Sequence, residues 1–266
     1  LQSPQIPFDL TNLSGDSLLL FRKLPVELGQ MEHQDIEALA VSVESLDLQE
    51  ILTWAVTEFS PRLVMSTAFG PGGIVLMHCL KQLGYQIPIF YIDTGLLFPE
   101  VHHLRLELEK RLGIHFERVV PALDLVEQAA RFGERLWEQD ADTCCWLRKV
   151  LPLQEYLRNQ RAWITAIRAD QTRQRAKARL IEWDERHQLV KINPLLRWKE
   201  DQVWDYIHRH QLPYNPLHDQ GYPSLGCIPC TSPIKKGEDL RAGRWRGKEK
   251  VECGIHVHSR KNPSIT

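Results

Sequence analysis

The amino-acid sequence predicts an α/β protein built on a doubly wound, mostly parallel sheet and closed by an irregular C-terminal lid. Three observations carry this. Apolar, strand-like segments at 62–68, 87–92, 115–120 and 162–167 alternate with segments of helical periodicity, the order that builds a parallel sheet. A glycine stretch, Phe69-Gly70-Pro71-Gly72-Gly73, joins the first strand to a helix. From Leu212 onward, Pro213, Pro216, Gly221, Pro223, Gly226, Pro229 and Pro233 interrupt every longer pattern. A chain of 266 residues, 43% hydrophobic and 25% charged, fits one large domain with appendages. Its net charge of −1 gives no global signature of nucleic-acid binding, and no apolar run approaches the length of a membrane span.

Residues 1 to about 30 carry scattered Pro, Gly and Ser with little periodicity, and read as a loosely attached arm. Amphipathic helices follow at 34–43 and 47–59. The first βα unit runs from the strand at 62–68 through the glycines into a helix at 74–83. The second pairs a strand at 87–92 with a helix at 99–112, which begins at Pro99. A strand at 115–120 and a helix at 122–132 come next. A cysteine-bearing helix then spans about 144–159, capped by Asp142 or Thr143. The strand at 162–167 is followed by a short hairpin, 180–183 with 189–192, and by a helix at 199–210. The division expected is an arm and helix over 1–45, a nucleotide-binding α/β domain over 46–210, and a tail of the same domain over 211–266. Ligands of such sheets sit beyond the carboxyl ends of the strands, where Gly70, Gly72, Gly73, Asp93, Thr94, Gly95 and Arg168 fall.

Four of the six cysteines form two close pairs, Cys144-Cys145 and Cys227-Ile228-Pro229-Cys230. Two such pairs can build a four-thiolate site around one metal centre. Arg148 and Lys149 follow the first pair by one helical turn, so two cations can face an anionic centre. Structural zinc suits a Cys-x-x-Cys knuckle, whereas the vicinal pair favours an iron–sulfur cluster; the spacing leaves both open. With no signal-peptide pattern in the first 23 residues, paired thiols point to a reducing cytoplasm and to ligation or catalysis.

Cys253 differs from these. It lies in a polar segment, Glu252-Cys253-Gly254-Ile255-His256-Val257-His258, with cations near in sequence, surroundings that lower a thiol pKa and keep it accessible to act as a nucleophile. A tail cysteine with incidental neighbours is the plainer alternative. Cys79 falls on an apolar helix face and reads as core, and His102 and His103 read as solvent-facing. Basic residues cluster at Arg168, Arg173, Arg175, Lys177 and Arg179, and again from Lys235 to Lys250. An anion cradle, arginines, four paired thiols and one separate thiol together fit a nucleotide whose anionic group is attacked by sulfur.

From about Ser66 to His258 the chain resembles the assimilatory adenylyl-sulfate (APS) reductases, relatives of the phosphoadenylyl-sulfate (PAPS) reductases. The resemblance is carried by Ser-Thr-Ala-Phe-Gly-Pro-Gly-Gly at 66–73, Tyr-Ile-Asp-Thr-Gly-Leu-Leu-Phe-Pro-Glu at 91–100 and Leu-Trp-Glu-Gln at 136–139. It continues in Cys-Cys-x-x-Arg-Lys-Val at 144–150, Ile-Arg-Ala-Asp-Gln-Thr at 167–172, Gly-Cys-Ile-Pro-Cys-Thr at 226–231 and Glu-Cys-Gly-Ile-His at 252–256. It implies an adenine-nucleotide α-hydrolase-like fold and a role in sulfate assimilation and cysteine biosynthesis. It also implies a [4Fe–4S] cluster on Cys144, Cys145, Cys227 and Cys230, Cys253 as nucleophile, and thioredoxin or glutaredoxin as reductant. Lys149, Arg168, Arg241, Arg244 and His256 match the family's substrate-contacting positions, and Ser66, Thr67 and Phe69 belong to its nucleotide loop. That loop departs from the Ser-Gly-Ala-Glu-Asp form of the APS branch and resembles the PAPS version, so PAPS stands as the alternative substrate. An adenylating pyrophosphatase would use a fuller Ser-Gly-Gly-x-Asp-Ser loop, and a zinc-stabilised nucleotide-binding module would leave Cys253 and the arginines without a task. No nucleic-acid or membrane partner is expected; a homo-oligomer is compatible with the sequence.

Overall fold

The computed structural model describes residues 33–256; the expected N-terminal arm, Val257 and His258 lie outside them. Among the described residues six strands form one sheet: β1 (Leu63–Ser66), β2 (Ile89–Ile92), β3 (Phe116–Val119), β4 (Ala162–Ile164), β5 (Ile181–Asp184) and β6 (Leu189–Ile192), in the order β3-β2-β1-β4-β6-β5. All neighbours pair in parallel except β5, which closes one edge as the antiparallel partner of β6. The chain moves outward from β1 to β2 and β3, then returns to place β4 on the other side of β1. The crevice at the carboxyl ends of β1 and β4 is therefore the topological switch point.

Local chemistry sets most boundaries. Helix α1 (His33–Ser42) precedes α2 (Leu48–Phe59), whose capping box is complete: Asp47 Oδ1 accepts the Gln49 and Glu50 N–H groups at 2.8 and 2.9 Å, and Glu50 accepts the Asp47 N–H at 2.8 Å. Helices α3 (Pro71–Gln82) and α4 (Pro99–Leu112) both open on proline, where a missing N–H costs nothing. Helix α5 (Leu125–Phe132) repeats the capping box with Asp124 and Glu127, which starts it later than the apolar pattern suggests. The pleat divides the core between the two faces of the sheet. Leu63, Met65 and Ile164 join Ile74, Leu80 and Leu108 on one, while Val64 and Trp163 join Phe90, Leu153 and Leu157 on the other. Helix α1, grouped by sequence with the arm, packs Ile36 and Leu39 into the first of these clusters, and Val43, just beyond its end, joins them.

The cysteine helix starts earlier than expected. After the short α6 (Leu136–Gln139), α7 (Ala141–Cys145) is capped by Asp140 rather than by Asp142 or Thr143. Asp140 Oδ1 accepts the N–H groups of Asp142 and Thr143 at 3.0 and 2.9 Å, and Oδ2 accepts the Thr143 hydroxyl at 2.7 Å. The helix is also not uniform. A π turn over Trp146–Val150 separates α7 from α8 (Leu151–Leu157) and widens the backbone where Arg148 and Lys149 sit. Beyond α9 (Glu200–Arg209), the regular helical structure among the described residues is two short 3₁₀ turns, Pro216–Gln220 and Ile228–Cys230. Among the described residues no helix is long and apolar enough to cross a membrane.

One buried ion pair ties the edge hairpin to the core. Lys191 and Glu182 stand directly opposite each other on β6 and β5, with Nζ 2.7 Å from Oε1 and both side chains buried. The ammonium also lies 5.9 Å from the centre of the Trp163 ring. Lys191→Met takes the counter-charge from a buried carboxylate and should cost about 3–5 kcal/mol in urea unfolding. Lys191→Met combined with Glu182→Leu should recover most of that loss. Equal losses in the two proteins would assign the effect to packing instead of charge.

Candidate active site

A cavity of about 300 Å³ opens at the switch point. Its floor is the loop from Ser66 to Gly73 and the N terminus of α3. Gly70 caps that helix without a side-chain acceptor, so the first-turn N–H groups are free to meet an anion. The Thr67 hydroxyl accepts the Phe69 N–H at 2.9 Å and holds the loop in its turn. Phe69 itself adopts φ 57°, a region that non-glycine residues enter at a cost; edge-on contacts of its ring with Tyr91 and Phe116, at 5.2 and 5.0 Å, hold it there.

The four paired cysteines line a second, smaller cavity, together with Leu96, Trp137, Arg148, Lys149 and Trp245. None of them is in a disulfide. Burial pushes the Cys144 thiol up to about 11, with Cys227 and Cys230 adding to it, and burial pushes Cys145 up to about 12. Such thiols give up their protons only to a strong local positive charge, and an all-sulfur donor set selects iron–sulfur or zinc over harder cations. Among the described residues no three His, Cys, Asp or Glu side chains converge on a single ion. Four thiols lining one cavity can supply thiolates to a single metal group, whether an iron–sulfur cluster or zinc. The Thr94 hydroxyl lies 3.3 Å from Cys227 Sγ. Arg148 braces the same region from behind, donating to Thr94 O at 2.5 Å, Gln128 Oε1 at 3.1 Å and Leu123 O at 3.2 Å.

Lys149 lines both cavities. Burial disfavours its charge, but Cys227, Cys253 and Cys145 outweigh that and keep the ammonium ionised well above the usual lysine range. Cys253 is partly exposed and lines the large cavity. Burial opposes its ionisation, yet Lys149, a hydrogen bond from the Ile255 N–H and Arg244 together hold its pKa below the ordinary thiol value, against the push of Glu252.

Of the residues singled out by sequence, Ser66, Thr67, Phe69, Gly70, Gly72, Gly73, Thr94, Lys149, Arg168, Arg241, Arg244, Cys253 and His256 all line the large cavity. Asp93 and Gly95 do not. Asp93 is spent on its own turn, accepting the Gly95 N–H at 2.9 Å and pairing with Arg118 at 2.8 Å, while Gly95 lies against the Arg148 guanidinium. Arg168 lines the cavity with its charge already met, Nε standing 2.9 Å from Asp170 and Nη2 3.4 Å from Glu200. His256 stacks on Trp163 at 5.8 Å, and burial, followed by Arg175, Lys191 and Arg241, keeps it neutral. Cys79 is buried within 3.3 Å of the Tyr206 hydroxyl, in the core.

Sequence reasoning missed the residues that hold the tail in place. Glu252 is paired with Arg175 and Arg241, and Gly254 O accepts from Arg186. Arg175 stood in a recognised basic run and Glu252 beside the flagged thiol, but no local rule joins side chains 77 residues apart. Among the described residues, Lys149 and Arg244 are the cavity-lining cations for which no carboxylate partner is found; Arg244 donates to Ser224 Oγ and Leu225 O.

Comparison with known proteins follows this geometry. A family model for the phosphoadenosine phosphosulfate reductase domain matches residues 62–233. An adenosine 5'-phosphosulfate reductase of Salinibacter ruber is 46% identical over 223 residues, covering 84% of this chain and 88% of that protein. One from Bacillus cereus is 42% identical over 207 residues, covering 77% and 88%. The crystal structure of phosphoadenylyl-sulfate reductase from Candida auris, a phosphate complex, superposes with a TM-score of 0.67 at 30% identity, over 77% of this chain and 98% of that one.

The floor of the cavity offers a test of its own. A Cβ on Gly73 would lie 2.9 Å from Thr67 Oγ1, and that hydroxyl cannot turn away without releasing Phe69. Gly73→Ala should therefore cost about 1–3 kcal/mol in denaturant unfolding. Gly70 has open space around it and an ordinary φ of −75°, so Gly70→Ala should stay within about 1 kcal/mol of the parent. Equal effects at both positions would count against the packing of this loop.

Proposed function

The chain belongs to the phosphoadenosine phosphosulfate reductase domain family, and on that premise we propose that it reduces adenylyl sulfate (APS) to sulfite and AMP in sulfate assimilation. The observation that carries this is the position of Cys253. Its thiol shares one cavity with an anion-binding helix terminus and stands beside Lys149 and Arg244. A doubly charged phosphosulfate seated on the loop at 66–73 brings its sulfur toward that thiol. The two cations offset the repulsion between an anionic group and an incoming thiolate. Cys253 Sγ bonds to the substrate sulfur as the S–O bond to AMP breaks, leaving a Cys253 S-sulfonate. A dithiol reductant of the thioredoxin or glutaredoxin type then attacks Cys253 Sγ and expels sulfite, and its second thiol resolves the mixed disulfide.

Cys144, Cys145, Cys227 and Cys230 would hold the [4Fe–4S] cluster. When bound, that group supplies an anionic sulfur face next to Lys149 and takes no part in bond-making. Lys149 then orients the sulfate from between the thiolates and Cys253, while Arg148 keeps the cysteine helix against the Thr94 turn.

The substrate alternative, PAPS, needs further cations for its 3′-phosphate. The basic run at 168–179 supplies few. Arg168 is matched by Asp170 and Glu200, Arg175 by Glu252 and Arg179 by Glu37, while Arg173 and Lys177 are exposed and do not line the cavity. This supports APS, in line with the names of the sequence relatives. Matched steady-state assays should give a higher kcat/KM for APS than for PAPS; equal or better turnover of PAPS would reverse the assignment.

The role of Cys253 is tested by Cys253→Ser in anaerobically purified protein. Iron and acid-labile sulfide should stay at the parent level, about four of each per chain. APS affinity should change little, because its contacts come from the loop and the cations. Sulfite formation should fall by several orders of magnitude, on the order of a thousandfold or more, since a serine hydroxyl is un-ionised at neutral pH. The parent given APS without reductant should gain the mass of one sulfonate on the Cys253 peptide. Near-parent turnover of the variant, or an adduct on another cysteine, would refute this assignment. Stoichiometric zinc without acid-labile sulfide would instead favour the zinc-module reading.

A further inference from the structure

Cys253 lies in a segment without helix or strand, so no backbone ladder sets its register. Side chains do so on either side. One residue before the thiol, Glu252 is almost fully buried and gripped by a two-pronged contact. Its Oε1 is 2.8 Å from Arg175 Nε and its Oε2 is 3.0 Å from Arg175 Nη2. Arg241 Nη2 adds a contact to Oε2 at 3.3 Å and the Thr172 hydroxyl one to Oε1, also at 3.3 Å. One residue after the thiol, Gly254 O accepts from Arg186 Nη1 at 2.6 Å. Arg175 is itself held, donating at 2.6 Å to Gln171 Oε1, which also accepts the Arg168 N–H at 3.0 Å. A continuous set of hydrogen bonds thus runs from the loop after β4 to the residue preceding Cys253.

We propose that Glu252 and Arg175 are positioning residues for the first half of the reaction: their ion pair fixes the register of the tail so that Cys253 stands beside Lys149 and Arg244 when sulfur is attacked. This rests on the reading of Cys253 as the nucleophile. The pair does not touch the phosphosulfate through Glu252, whose carboxylate would repel it. On charge alone, moreover, a carboxylate next to the thiol disfavours the thiolate, so removing it would speed attack. A slower attack without Glu252 therefore reports position and not ionisation.

The test uses the full chain, purified anaerobically with its metal, as Glu252→Gln, Arg175→Gln and the double variant. Three quantities are read: the single-turnover rate of Cys253 S-sulfonate formation from APS without reductant, the APS dissociation constant, and hydrogen exchange of the 250–256 segment without nucleotide. In Glu252→Gln the rate of adduct formation should fall by roughly a hundredfold, the loss expected of a nucleophile displaced by about 1 Å. APS affinity should be nearly unchanged, and the tail amides should exchange faster. The double variant should be no slower than the slower single one, because both remove one interaction. Adduct formation at the parent rate or faster in Glu252→Gln would overturn the proposal, as would a loss confined to APS affinity. If the parent forms no adduct with APS or PAPS, the reading of the reaction fails. The exchange measurement then still decides the anchor, and unchanged tail exchange in Glu252→Gln would overturn it.

Discussion

The site depends on a positive charge held among sulfurs. Lys149 borders both the four-thiol cavity and the large cavity, and the cysteines on either side of it raise its pKa above the usual lysine range. Burial makes that charge costly, so it persists only where sulfur can carry negative charge. Its place follows from the π turn, which rotates the helix after Cys145. Arg148 is turned back toward the Thr94 backbone and Lys149 forward into the cavity. A regular helix would present these two cations at a different angle to the thiols.

Most of the other cations near the site are matched by the protein's own carboxylates. Arg168 faces Asp170 and Glu200; Arg175 and Arg241 share Glu252. Burial lowers Arg241 to about 10, with Glu252 working to restore its charge. These pairs serve order: they join the loop after β4, the lid and the tail around one opening. The division of labour has a physical basis. Cations with fixed carboxylate partners hold geometry, whereas Lys149 and Arg244 leave their field available to an incoming anion.

Much of this organisation was legible in the sequence because it rests on local signals. Strand patterns and the proline opening α4 act within a few residues, and the observed elements lie close to where those signals put them. Pro71, read as part of the glycine stretch, proves to open α3 three residues earlier than expected. The four paired cysteines and the separate Cys253 were separable by spacing alone. Where local signals compete, the reading slipped: Asp140, Asp142 and Thr143 are all cap formers, and only the turn after α6 shows that Asp140 reaches the free N–H groups.

The sequence by itself determined the order of strands and helices along the chain and the residue types gathered at the carboxyl ends of the strands, because periodicity and punctuation are properties of neighbours along the chain. The strand order that makes the switch point at β1 and β4 came only with the folded sheet. Tertiary structure alone decided which of those residues face the cavity. Asp93 turns away to Arg118, Arg168 is neutralised from α9, and Glu252 finds Arg175 across 77 residues. A side chain's charge can be read from its identity. Whether that charge is spent inside the protein or left for a ligand depends on partners that only the folded chain brings within hydrogen-bond reach.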